Sequence, residues 1–205
     1  MSFEKYKQIY HEFSEDADFI NETIKKLNFD IESKILDIGT GIGAMSTLLA
    51  LNGFNILTGE PKEDQDKIGW NLNDGNIHYK EHERHFWNDW KESAKILGVR
   101  DKIIFQNFNA EKLPFADKSF DGIFLYDSIQ HIKRREIALS ECIRVLNYEG
   151  IIVVIEWTEK AIEDDYKKFG YKIEFVDPRL YINEEDFSVD VFEGEIVKIY
   201  IIRKK

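Results

Sequence analysis

A single cysteine, Cys142, stands in a chain of 205 residues, so no internal disulfide is available to hold the fold together. Proline is nearly as scarce: three residues, too few for a linker-rich or compositionally disordered chain. No apolar run approaches the roughly 18 residues of a membrane span. Positive charge is also short. Lys and Arg number 28 against 39 Asp and Glu, giving a net charge of −11, a field that repels a phosphate backbone and argues against a nucleic-acid partner. Met1 to Asp30 scatters acids through its length and does not read as a signal peptide. The expectation is a cytoplasmic protein with no membrane partner. What the chain does have is 15 Phe, 9 Tyr and a 43% hydrophobic share, enough apolar surface for a sizeable core in the length of one domain.

Apolar runs alternate with helical patterns, the arrangement that builds a doubly wound, mostly parallel α/β sheet. Phe3, Tyr6, Tyr10 and Phe13 recur at helical spacing, and Phe19, Ile20, Ile24 and Leu27 mark a second amphipathic stretch, so residues 1–30 are expected to form an N-terminal helical flap. Strands are predicted over Lys34–Ile38, Phe54–Thr58, Ile103–Phe108, Phe120–Tyr126 and Gly150–Trp157, with a helix over Ala44–Leu51. Ala138, Cys142, Val145 and Leu146 mark the buried side of another helix, which makes Cys142 a small core residue. A helical segment near Ile162–Phe169 follows. Tyr171–Val176 and Ile196–Ile202 are strand-like runs with no long helix between them, so the sheet is expected to end in an antiparallel hairpin. Pro61–Lys102 is long for a crossover and reads as an insertion.

Asp37-Ile38-Gly39-Thr40-Gly41-Ile42-Gly43 follows a strand and opens a helix, where backbone N–H groups face a ligand and glycine permits its close approach. Gly39, Gly41 and Ala44 also satisfy G-x-G-x-x-G/A, and Glu60 lies 21 residues beyond Gly39, so an NAD(P)-dependent oxidoreductase is a competing reading. The carboxylate of Asp37 suits a ligand with an ammonium group better than a pyrophosphate. Its alternative role is helix capping or turn bonding.

Ile35 to Gly43 resembles the glycine-rich first motif of class I S-adenosylmethionine-dependent methyltransferases, with a type 11-like, small-molecule flavour. Further blocks follow in the same order. Glu60 is similar to the acid that takes the ribose hydroxyls, and Asn109-Ala110-Glu111-Lys112-Leu113-Pro114-Phe115 to the segment that recognises adenine. Ser119 to Ile132 resembles the fourth strand and its tip, and Arg144-Val145-Leu146 with Gly150-Ile151 the approach to the fifth. The resemblance covers Lys34–Trp157. It implies a seven-stranded sheet, S-adenosylmethionine as cofactor, a small-molecule acceptor, and cofactor contacts from Asp37, Gly39, Thr40, Gly41, Gly43, Glu60, Asn109, Ala110 and Tyr126. Asn109 departs from the acid usual in the family, though its amide oxygen still offers an acceptor to the adenine amino group. The insertion has no counterpart in a minimal member, so substrate is not carried over. A non-catalytic S-adenosylmethionine-binding protein is the rival reading from outside enzymology.

Methyl transfer from a sulfonium is an in-line displacement that draws mainly on proximity and orientation. Where the acceptor carries a proton, His131 just past the fourth strand is the candidate base; its alternative is a structural hydrogen bond near a helix start. Gln130 and Trp157 at strand tips, Tyr10 on the flap, and His82 and Trp87 in the insertion are the candidate acceptor contacts. If 78–89 is helical, His78, His82, His85 and Asp89 share one stripe, while Tyr79, Phe86, Trp90 and Leu97 fall on a second that suits packing. The histidine stripe lacks the Glu of a zinc helix and is read as a solvated or pocket-lining face with no metal expected. Lys133-Arg134-Arg135 reads as an exposed helix start.

Overall fold

The computed structural model describes residues 2–11, 14–62, 90–170, 172–183 and 185–205. Two helices, α1 (Ser2–Ile9) and α2 (Ala17–Lys26), precede the first strand, β1 (Ile35–Ile38). There follow α3 (Ala44–Leu51), β2 (Ile56–Gly59), α4 (Trp90–Ile96), β3 (Ile103–Phe105), β4 (Phe120–Tyr126) and α5 (Arg135–Val145). The chain closes with β5 (Leu146–Trp157), α6 (Glu159–Phe169), β6 (Phe187–Glu193) and β7 (Val197–Lys204).

The seven strands form one sheet in the order β3-β2-β1-β4-β5-β7-β6. The first five run parallel; β7 is antiparallel to both β5 and β6. This is the doubly wound α/β sheet with a terminal hairpin that the pattern predicts. Chain order reverses beside β1, which pairs with β2 on one side and β4 on the other, so the tips of these three strands form the topological switch point where open α/β sheets bind ligands.

Side-chain alternation along the strands feeds two cores, one on each face. Ile35, Phe124 and Val153 point into the layer that holds α1 to α4, with Leu48, Leu49, Trp90 and Ile103. Leu36, Ile123 and Ile152 point into the other, with Leu139, Cys142 and Val145 of α5. Cys142 is fully buried, and burial pushes its thiol up to about 12, which keeps it inert. Tyr6 and Tyr10 are only 2% exposed: α1 packs into the first core and docks on the start of α3, with Tyr6 Oη donating to the Ala44 carbonyl at 3.1 Å.

One strand prediction needs correction. The run Tyr171–Val176 forms no strand over its described residues, 172–176; the hairpin partner of β7 is Phe187–Glu193. Both runs contain alternating apolar residues, but only the second is joined to β7 by three residues, Gly194 to Ile196, and a short loop is what lets antiparallel neighbours zip. Gly194 N–H donates to the Val197 carbonyl at 2.8 Å. The turn is fixed from outside by Asp16, 3% exposed, whose two carboxylate oxygens accept from the backbone N–H groups of Glu195, Ile196 and Val197. The earlier segment is claimed by other contacts: Glu174 pairs with Arg135 and Val176 is buried in the second core.

Boundaries shift for local reasons. β5 begins at Leu146, paired with Phe120, and bulges before Ile151 meets Gly122. α6 starts earlier than its apolar spacing indicates because Thr158 caps it, its Oγ1 accepting from Ala161 N–H at 3.1 Å. The helix α4 occupies the end of the Pro61–Lys102 segment, and Trp90 and Leu97 of its aromatic stripe are core residues.

Candidate active site

The loop after β1 is built around glycines whose conformations other residues resist. Gly39 has φ = +91°, and a Cβ there would lie 2.2 Å from Ser128 Oγ, so its glycine lets the β1 and β4 tips approach. Gly43, at φ = +82°, starts α3 and would drive a Cβ to 2.6 Å from Trp90 Cβ. Tyr10 Oη donates to the Gly43 carbonyl at 3.3 Å, bracing the loop from the side of α1.

Behind the loop lies a chain of hydroxyls. Thr58 Oγ1 donates to Asp37 Oδ2 at 2.8 Å and is 2.9 Å from Thr40 Oγ1, so the Thr40 hydroxyl donates onward to Thr58. Asp37 is completely buried, and its second oxygen, Oδ1, has no partner among the described residues. Desolvation pushes this carboxyl up to about 7; the Thr58 hydrogen bond opposes the shift and the nearby Glu60 adds to it. Such an acceptor is suited to a donor or a cationic group brought by a ligand.

Glu60, 9% exposed at the tip of β2, accepts the Gly41 N–H at 2.9 Å through Oε2. Its backbone carbonyl accepts Phe108 N–H at 3.2 Å and Asn107 Nδ2 at 3.3 Å, tying the segment after β3 to the glycine loop. Asn109 Oδ1 accepts the Glu111 N–H at 2.8 Å, a local turn that places Ala110 in the wall of the site.

These elements enclose a cavity of about 650 Å³ at the C-terminal ends of the strands. Gly39, Thr40 and Gly41 form one side; Glu60, Asn109 and Ala110 a second; Tyr126, Asp127, Ser128 and His131 a third. The structure thus brings together almost every residue predicted to contact the cofactor. Gly43 lies just outside the wall at the base of α3, and Asp37 beneath it. His131 sits on a short 3-10 turn, Ile129–His131, exposed at the rim.

Three candidate acceptor contacts are placed elsewhere. Tyr10 is in the core beside Thr47. Gln130 and Trp157 lie outside the cavity wall and hydrogen bond to the carboxyl of Asp127. His82 and Trp87, with His78 and His85, lie outside the described residues. Among the described residues no cluster of His, Cys, Asp and Glu could hold a metal ion.

Two further acids, not evident from the sequence pattern, stand at this edge. Asp127 has φ = +50°, and burial pushes its carboxyl up to about 7, opposed by the bonds from Gln130 and Trp157. Glu156, 3% exposed, is pushed up to about 8 by burial and by Asp127, and accepts N–H groups from Ser128 and Ile129. The available signal was an acid closing the apolar run Ile151–Ile155, where burial is otherwise continuous.

Comparison with known proteins agrees with this geometry. The chain is 28% identical over 130 residues to the ubiquinone/menaquinone biosynthesis C-methyltransferase UbiE of Rhizobium rhizogenes, covering 53% of this chain and 50% of that protein. It is 29% identical over 147 residues to UbiE of Rickettsia prowazekii, covering 70% and 53%. The chain therefore spans about half the length of these curated relatives. Its fold matches the crystal structure of the PH0226 protein from Pyrococcus horikoshii with a TM-score of 0.62 at 18% identity, over 94% of this chain and 92% of that one. Residues 36–154, which hold the glycine loop, Glu60, the Asn109 turn and the β4 tip, match the family described as the methyltransferase domain, and the chain belongs to that family.

Proposed function

We propose that the chain transfers a methyl group from S-adenosylmethionine to a small-molecule acceptor. The observation that carries this reading is the cradle at the switch point: a loop of left-handed glycines, an orphaned buried oxygen on Asp37 and the tip acid Glu60 converge on one cavity. Backbone around Gly39–Gly43 fits the methionine moiety, with Asp37 favouring its ammonium group. Glu60 fits the ribose hydroxyls. Asn109 and the Ala110 amide fit the adenine edge, with Tyr126 closing the third side. When bound, the sulfonium supplies a methyl carbon open to in-line attack. The residues' part is to hold the acceptor in line and keep water out, a source of effective molarities of about 10⁵–10⁸ M in well-oriented reactions. His131, which lines the cavity, is the residue assigned to take a proton from an acceptor that carries one.

A dinucleotide reading is less well served, because the buried carboxyl of Asp37 beneath the loop opposes a pyrophosphate. The part of segment 61–102 that precedes α4 is assigned to covering the acceptor; α4 itself packs into the core. The net charge of −11 disfavours nucleic acid as acceptor, and no helix among the described residues is long and apolar enough to cross a membrane; the setting assigned is the cytoplasm.

The deciding test is calorimetry with S-adenosylhomocysteine and, separately, NAD. Micromolar or tighter binding of the first and none of the second is expected; the reverse would overturn the reading. Labelled methyl transfer into a fractionated metabolite extract then separates an enzyme from a non-catalytic binder.

A further inference from the structure

β4 leaves the sheet at Asp127. Its N–H still pairs with the Ile155 carbonyl at 2.9 Å, but the next two, on Ser128 and Ile129, turn away from the ladder. Both donate to one atom, Oε1 of Glu156, at 3.0 Å each. Glu156 is not in the cavity wall, whereas Asp127, Ser128 and His131, the residues its bonds hold in place, are. The placement is tight, since Ser128 Oγ fills the space left by the missing side chain of Gly39. Without an acceptor at position 156, two buried backbone donors would be left without their partner at the start of the Ile129–His131 turn.

We infer that Glu156 is a positioning residue: through a single carboxyl oxygen it sets the backbone of the segment Asp127–His131, and with it the wall of the cavity opposite the glycine loop. The inference rests on the proposed reading of that cavity as the cofactor site. The geometry asks for an acceptor and not for a charge. Both bonds end on the same oxygen, and burial and Asp127 favour the neutral carboxyl, against the Ser128 and Ile129 N–H groups and Arg135. An amide oxygen on a side chain of equal length would serve as well. Asp16 provides the contrast within the molecule, since it spreads three N–H bonds over both oxygens.

The test compares the full chain with Glu156→Gln, Glu156→Met and Glu156→Asp, reading amide hydrogen exchange residue by residue and S-adenosylhomocysteine affinity by calorimetry. Glu156→Gln should keep the protection of the Ser128 and Ile129 amides and the affinity within about threefold of the parent. Glu156→Met, similar in length but without an acceptor, should lose roughly tenfold or more in both, while the Leu36 and Ile123 amides of the central ladder keep their protection. Glu156→Asp retains the carboxyl group but withdraws it by one methylene; it should follow the methionine variant, and it decides the matter if that variant does not fold. Unchanged protection in the Met and Asp variants would overturn the inference, as would a Gln variant as damaged as they are. If the parent chain itself fails to bind S-adenosylhomocysteine, the cofactor reading falls, and the amide comparison still decides whether Glu156 sets the segment.

Discussion

At the C-terminal edge of the sheet Asp37, Asp127 and Glu156 are held in surroundings that push their carboxyls up to about 7, 7 and 8, and one oxygen of Asp37 has no partner among the described residues. Away from that edge the acids are matched. Arg144 holds Glu141 below its ordinary value. At the opposite edge Asp121 accepts the Lys34 N–H at 2.8 Å and is also bonded by Asn147. A cleft of about 540 Å³ opens there too, bordered by Phe29, Asp121 and Tyr148, but at the N-terminal ends of the strands, where such sheets do not place ligands. One edge therefore satisfies Asp121 within the protein, and the other leaves one buried acceptor, Oδ1 of Asp37, that a ligand can complete. Cavity size does not separate the two. The unpaired buried oxygen of Asp37 does.

The largest effect that would test this contrast is on stability against pH. A carboxyl whose folded pKa is raised keeps its proton in the fold after the unfolded chain has lost it, so stability falls as pH rises from the unfolded value near 4 to the folded value near 7 or 8. Each such proton is worth about 1.4 kcal/mol per pH unit within its window, and Asp127 and Glu156 titrate as a pair. The acids with lowered values act the other way, giving up stability as pH falls through their folded values, below about pH 4.5. Urea unfolding of the ligand-free chain should therefore give maximal stability near pH 5 and a marked decline by pH 8, shallower in Asp37→Asn. Stability that is flat or rising between pH 5 and 8 would break the comparison.

Next in size is the glycine loop. Gly39→Ala adds strain at φ = +91° and a collision with Ser128, and should weaken S-adenosylhomocysteine binding on the order of a hundredfold, about 3 kcal/mol. Gly98→Ala is the control: φ is +72° but nothing among the described residues lies within 4 Å of the added Cβ, so it should cost about 1 kcal/mol of stability and no affinity. Glu60→Ala should cost about 1–3 kcal/mol in the same affinity. Asn109→Ala should cost less, because its Oδ1 already accepts from Glu111 and the Ala110 backbone is retained. Calorimetry that reversed the last two would exchange their ranks in the site.

The cradle was legible because its signals are local. Asp37–Gly43, Glu60 and Asn109–Ala110 each lie within a few residues of a strand end, and strand ends are where apolar runs stop. What could not be read depends on partners distant along the chain. Glu156 is 28 residues from Ser128, and nothing in Ile151–Trp157 says which backbone its carboxyl meets. Tyr10 has the spacing of a buried helix face, but spacing does not say that its hydroxyl would be spent on the Gly43 carbonyl and away from an acceptor. The hairpin partner was misplaced for a related reason: two runs had the right alternation, and the choice between them is made by loop length and by Asp16, at the other end of the chain.

The smallest predicted effect tests whether the two edges are separable. Asp121 anchors β4 at its start, with its carboxylate on Lys34 N–H and its own N–H on the Lys34 carbonyl at 2.9 Å, just before β1 begins. Removing the side chain in Asp121→Ala frees the Lys34 N–H and the Asn147 amide at a half-exposed position, where water can replace part of what is lost, so the cost should be about 1–2 kcal/mol of stability. The strand tips that form the cradle stand at the far ends of β1 and β4, beyond the paired positions Ile35–Gly122 to Ile38–Leu125. Because that stretch of ladder does not depend on Asp121, affinity for S-adenosylhomocysteine should stay within about twofold while the urea midpoint drops. A parallel fall in affinity would mean that β1 and β4 transmit displacement along their length, and that the matched edge contributes to the shape of the unmatched one.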